Sequence, residues 1–333
     1  MALPAEGDRQ GSRWRWAQGA VLALTAVLLV GLWLAPVRFL ALFWGVVIPL
    51  LPLSFLVSPQ LWRAVCPLAT LNMFDQRTGR RRRSMAISRW SEAPAIIALV
   101  VLVPARHLAF NHEAWTLALL VVAAAAAAFL AGRWFEAKAG FCNLLCPVLP
   151  VERLYGQHPL INVANPRCPS CSVCTPRGCI DLAGTKALPQ LLGPRRRTTH
   201  WMLTGFGLFA LAFPAFIAGY FTVPTSPVPV AMAVYAHVFG WSAAGGLLAG
   251  SVISVARIPS RVALILLAAT AAGIYYWFAI PLSLGSLGVH ASNSVPLLRV
   301  VLLAFIGWWT ARAFRAPASA AGALQGQTLF GAA

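Results

Sequence analysis

Apolar side chains along this chain come in long runs, separated by shorter segments that are polar and mostly basic. A run of roughly 18 or more apolar residues is long enough, as a helix, to cross the ~30 Å hydrocarbon layer of a bilayer, and about eight such windows can be drawn. Six are clear, covering 17–35, 39–58, 115–131, 201–221, 230–255 and 262–282. Two are weaker: 95–109 carries Arg106 and His107, and 297–311 carries Arg299, so both are expected to be tilted or partly re-entrant. The pattern therefore predicts an all-α polytopic membrane protein of about eight transmembrane helices. It divides into a four-span region over 1–131, a polar inner segment over 132–200, four more spans over 201–315, and an Ala/Gly-rich disordered tail over 316–333.

Composition sharpens this picture. Of 333 residues 59% are hydrophobic and 10% charged, far from the usual quarter of charged side chains in a soluble domain. The net charge of +18 would suggest nucleic acid if the basic residues formed a patch. They lie instead between apolar runs, so the charge is a topology signal and no nucleic-acid partner is expected. With the amino terminus inside, all Lys and Arg except Arg38, Arg106 and Arg299 fall in inner segments. That asymmetry predicts both termini on the cytoplasmic side of a bacterial inner membrane, with anionic lipid beside the run Arg80 to Arg83. The first helix has full span length and no convincing small-residue cleavage site, so it is expected to be retained.

The inner segment over 132–200 is too short and too poor in apolar residues to build a large core, so something other than hydrophobic burial must order it. All seven cysteines, Cys66, Cys142, Cys146, Cys168, Cys171, Cys174 and Cys179, lie in inner segments or at their membrane borders. Thiols there stay reduced, which argues against disulfides. Residues 167–181 read Arg-Cys-Pro-Ser-Cys-Ser-Val-Cys-Thr-Pro-Arg-Gly-Cys-Ile-Asp, a C-x2-C-x2-C-x4-C run. Two-residue gaps let a tight loop wrap three thiolates around three corners of an iron–sulfur cube, while the fourth iron takes a remote cysteine. A zinc knot would instead favour paired C-x2-C motifs on separate arms. Residues 141–147 read Phe-Cys-Asn-Leu-Leu-Cys-Pro, a C-x3-C-P motif, and 62–67 read Trp-Arg-Ala-Val-Cys-Pro, the same motif with Trp62 in place of its first cysteine. Cys-Pro is the form the remote ligand takes in bacterial ferredoxins.

Gly-Arg-Trp-Phe at 132–135, then C-x3-C-P, then the C-x2-C-x2-C run, resembles the membrane polyferredoxin family over residues 40–185. That family includes the membrane ferredoxin subunit of periplasmic nitrate reductase systems, the regulator-like protein of nitrous-oxide reductase maturation and the iron–sulfur assembly factor of cbb3 oxidases. The resemblance implies 4Fe-4S clusters on the cytoplasmic side, in a small ferredoxin-like loop segment, passing electrons to or from quinones or partner redox subunits of a respiratory or photosynthetic chain. This chain has one ferredoxin run where the family has two, a halved motif at Trp62, and no proline after Cys179. Seven cysteines fill one cube and leave three ligands, so one cluster is expected and a second would need another ligand or an open iron. The first cube is assigned Cys168, Cys171 and Cys174 with Cys146 or Cys66, leaving Cys142, Cys179 and the other Cys-Pro cysteine for a second site.

Intramembrane ionisable residues are costly and often functional. His237, toward the outer end of the sixth span, is a candidate haem or quinone residue, with His107, His112 and His290 on the same side. Arg106 could hold a quinone carbonyl and Glu113 take its proton; the bland alternative makes His112 and His290 solvated and His237 a hydrogen-bonded bundle residue. Trp134, Trp201, Trp241 and Trp308 read as membrane-interface anchors. No glycine-rich nucleotide loop, catalytic carboxylate pair or Ser/His/Asp set is evident, so hydrolytic chemistry is not expected. Two further function classes are kept: a zinc-stabilised transporter or assembly component, and an iron–sulfur sensor or oxidase assembly factor.

Overall fold

The computed structural model describes residues 5–74, 92–135, 140–161, 200–224, 230–289 and 294–315. The chain enters through α1 (Ala5–Leu34) and returns through α2 (Pro36–Val57). Two short helices, α3 (Pro59–Val65) and α4 (Pro67–Met73), follow, then α5 (Ala93–Phe110) and α6 (Ala114–Trp134). After a π-helical turn at Phe141–Leu145 comes α7 (Leu149–Tyr155). The second half is α8 (Gly205–Phe221), α9 (Ala231–Val255), α10 (Ser260–Ser286) and α11 (Ser294–Arg315).

Seven of these helices are long and apolar enough to cross a bilayer: α1 over Trp14–Leu34, α2, α5, α6, α9, α10 and α11. The eighth window, expected over 201–221, becomes the 17-residue α8 because His200–Leu203 form a 3-10 turn before it. At 1.5 Å per residue α8 reaches ~25 Å, at the lower limit for a span. The two weak windows are continuous span-length helices, with no re-entrant turn. Large apolar side chains such as Trp33, Leu247 and Val255 point outward, as expected where the surroundings are hydrocarbon and packing is left to small residues.

α8 is the most enclosed helix, with Phe206, Phe209, Phe213, Phe216 and Tyr220 buried along it. Its seam with α9 is built from small residues: a Cβ on Gly245 would lie 2.2 Å from the Ala215 Cβ. Prolines shape the spans through the donor they lack. Pro49 cannot donate to the carbonyl of Gly45, and just ahead of it the ladder shifts to a π-turn over Phe43–Val47, with the Ile48 N–H reaching Phe43. Pro281 leaves the Trp277 carbonyl without its helical donor, and Arg299 of α11 supplies two, Nε at 3.0 Å and Nη2 at 2.8 Å, with its guanidinium over the Trp277 ring. An intramembrane arginine thus replaces a missing backbone N–H. Trp201 is 4% exposed and belongs to the core, not to the interfacial belt expected of it; Trp134, Trp241 and Trp308 are exposed.

Contacts define two poles. At one, the Gln18 side chain donates to Ala64, Arg261 to Ala313, and Trp309 and Arg312 to the carbonyl of His158. At the other, Trp44 donates to Phe110, and His107 and His237 meet residues at the end of α8.

Candidate metal centre

Two Cys-Pro arms have the same local grammar. The residue before proline is driven out of the helical region, which ends one helix and permits another to start at once. Cys66 (φ −54°, ψ 126°) stops α3, its N–H held by the Trp62 carbonyl at 2.8 Å, and Pro67 opens α4. Cys146 (φ −64°, ψ 113°) stops the π-helical turn, its N–H held by the Phe141 carbonyl at 2.9 Å, and α7 begins at Leu149. The halved motif also acquires a physical meaning: Trp62 packs its ring against the core beside Phe55, centroids 6.1 Å apart.

The arms meet. Cys142 is buried with Ala69, Ala128, Ala131 and Phe141, and Cys66 and Cys146 pack on the same cluster. The alanine run at the end of α6 makes this approach close. A Cβ on Gly132 would sit 1.9 Å from the Asn72 carbonyl oxygen, so only glycine lets α4 come so near, and the Asn72 amide donates to Ala128 at 2.8 Å. Cys146 is half-buried as a residue, yet burial first, then the neighbouring Cys66, push its thiol up to about 12. A thiol so placed stays protonated unless a cation holds it as a thiolate, which is what a bound metal does.

Near the thiols lie two buried ion pairs that the reading of the sequence missed, having taken Arg63 and Arg153 for topology alone. Arg63 Nε donates to Glu152 Oε1 at 2.6 Å, and Arg153 pairs with Glu92, all four side chains being buried. Burial holds the Glu92 carboxyl above its usual range, against the opposing pull of Arg153. The available signal was the adjacent acid and base, Glu152 and Arg153, just past a Cys-Pro, in a chain with only eight acidic residues.

Cys168, Cys171, Cys174 and Cys179, with the ferredoxin-like loop, lie outside the described residues. The chain leaves toward them at Ile161, whose N–H donates to Val57, and returns at His200, ahead of the buried Trp201; both ends belong to the pole of Cys66 and Cys146. Among the described residues no three His, Cys, Asp or Glu side chains converge on one metal ion. A four-iron cube spaces its thiolates over four corners, farther apart than donors on one ion, and draws them from separate segments. Half-buried neighbouring thiols on two separate arms suit that chemistry.

The other candidates sit at the opposite pole. Arg106 stacks on the Trp44 ring at 4.0 Å and donates to Asn111. His107 Nε2 meets the Tyr220 carbonyl at 3.0 Å, which makes it the protonated nitrogen, and His237 Nε2 meets the Thr222 hydroxyl at 3.2 Å. His107 and His237 therefore share the end of α8, each with Nε2 already engaged. His112 and Glu113 are exposed, and His290 lies outside the described residues. No protein-family model, curated protein or solved structure matches the chain.

Proposed function

We propose that this chain is a membrane-bound 4Fe-4S electron-transfer protein that carries electrons between a donor on the cytoplasmic side and a quinone or partner redox subunit. One observation carries the reading: cysteines eighty residues apart, Cys66 and Cys146, each fixed by a following proline, come together at the pole where the cysteine-rich run leaves and rejoins the bundle. Such a pole offers remote ligands to a run that wraps three corners of a cube and needs a fourth. Cys168, Cys171 and Cys174 would hold one cube with Cys66 or Cys146, and the remaining cysteines leave room for a second.

When bound, the cluster supplies a one-electron couple that the protein itself lacks. The chain's own part is mechanical and electrostatic. The proline-stopped arms orient the thiols, the α4–α6 contact keeps water from Cys142, and the spans hold the pole at the membrane face. The excess of Lys and Arg on that side supports a cytoplasmic orientation in a bacterial inner membrane.

The test is anaerobic purification from membranes, with iron and sulfide analysis, visible absorption, and low-temperature EPR after dithionite. About four irons and matching sulfide per cube are expected. Replacing Cys171 with Ser should remove the reduced-state signal of that cube. A colourless, EPR-silent, zinc-loaded protein would end the proposal in favour of the structural-zinc alternative.

A further inference from the structure

The two arms are joined by more than the apolar cluster around their thiols. Arg63 stands three residues ahead of Cys66, and Glu152 six residues after Cys146, so the 2.6 Å ion pair spans the same two arms as the sulfurs. Both side chains are more than nine-tenths buried. Arg153 and Glu92 lie alongside, and Glu92 feels both Arg63 and Glu152, so among the described residues two basic and two acidic side chains form one buried group.

A buried ion pair is weak evidence for stability, because apolar residues of similar volume often pack at least as well. What it adds is register. An apolar contact tolerates sliding by a fraction of an ångström, whereas a charge-assisted hydrogen bond in a low-dielectric interior is satisfied over a narrow range of distance and angle. The α4–α6 contact cannot serve in its place, since it ties the Cys66 arm to α6 and not to α7.

We propose that the Arg63–Glu152 pair is a positioning brace, which sets the separation and facing of Cys66 and Cys146 and through them the geometry of the iron–sulfur centre. The inference rests on the electron-transfer reading above. Groups that orient metal ligands without touching the metal govern both affinity and redox behaviour, and their loss typically weakens metal binding by about 10- to 100-fold.

The experiment uses the full-length protein, purified anaerobically, in four forms: wild type, Arg63→Lys, Glu152→Gln and the exchanged pair Arg63→Glu/Glu152→Arg. Iron retention against graded chelator, EPR line shape and midpoint potential are read together. Both single variants should lose iron at chelator concentrations about tenfold lower than wild type and show a displaced EPR spectrum. The exchange should recover most of the retention and the wild-type line shape. Arg63→Lys keeps the charge but loses the guanidinium geometry, so it remains informative should Glu152→Gln fail to accumulate. Single variants with wild-type retention, line shape and potential would overturn the brace while leaving the electron-transfer reading intact. An exchange that accumulates yet recovers neither readout would also overturn it. Wild-type protein without iron and without an EPR signal would instead remove the reading on which the brace rests.

Discussion

Position 158 shows how much one side chain can report about its surroundings. His158 sits after α7 at the cysteine pole, where burial, then Arg261 and Arg312, depress its pKa from 6.5 to about 4. Its carbonyl meanwhile accepts from Trp309 at 3.0 Å, so the segment just after α7 is fixed to α11. A histidine depressed on folding stabilises the native state above its unfolded value, and that stability is lost as pH falls toward the folded value. Thermal unfolding in detergent should therefore show a loss of stability between about pH 6.5 and about pH 4. His158→Gln should lessen that loss, and an unchanged acid limb in the variant would show that other groups govern it. Cys146 was legible in the sequence as the cysteine of a Cys-Pro arm. Its neighbour Cys66 was not legible as its neighbour, because no local pattern encodes proximity across eighty residues.

At the scale of helices, prolines decide where the backbone ladder opens and therefore where side chains are needed to close it. The pairing of Pro281 with Arg299 is the clearest case, since it explains why a charge survives inside a span. Arg299→Ala should lower stability by about 1–2 kcal/mol, the worth of hydrogen bonds from a charged donor. The same change made together with Pro281→Ala should cost less, because the restored backbone N–H at position 281 then serves the Trp277 carbonyl. A double-mutant cycle read by thermal unfolding gives this coupling, and strict additivity would contradict the account. The sequence predicted the helices themselves, since an apolar run in lipid can satisfy its backbone only as a helix. It included 95–109 and 297–311 as its weaker spans because of Arg106 and Arg299, and both are helices of span length. Those guanidiniums are taken up by Trp44 and Asn111 in one case and by Trp277 in the other, so neither interrupts its helix.

For the whole molecule, every described cysteine lies at one pole, and the exposed loop carrying His112 lies at the other. In spheroplasts a membrane-impermeant maleimide should label a cysteine introduced as His112→Cys and leave Cys66, Cys142 and Cys146 unmodified until the membrane is opened. The reverse pattern would invert the proposed orientation. The membrane class and helical architecture follow from the sequence alone, because they depend on composition and run length, which are properties of contiguous stretches. The backbone form of each Cys-Pro arm was equally readable, as proline acts on the residue beside it. What required the folded chain was the meeting of the arms over the alanines of α6, the packing of Trp62 beside Phe55, and the buried pairs Arg63–Glu152 and Arg153–Glu92. In the sequence these four charges look like any others near a membrane face. Only burial, which removes water and leaves each charge to be answered by another side chain, turns them into a fixed connection between distant segments.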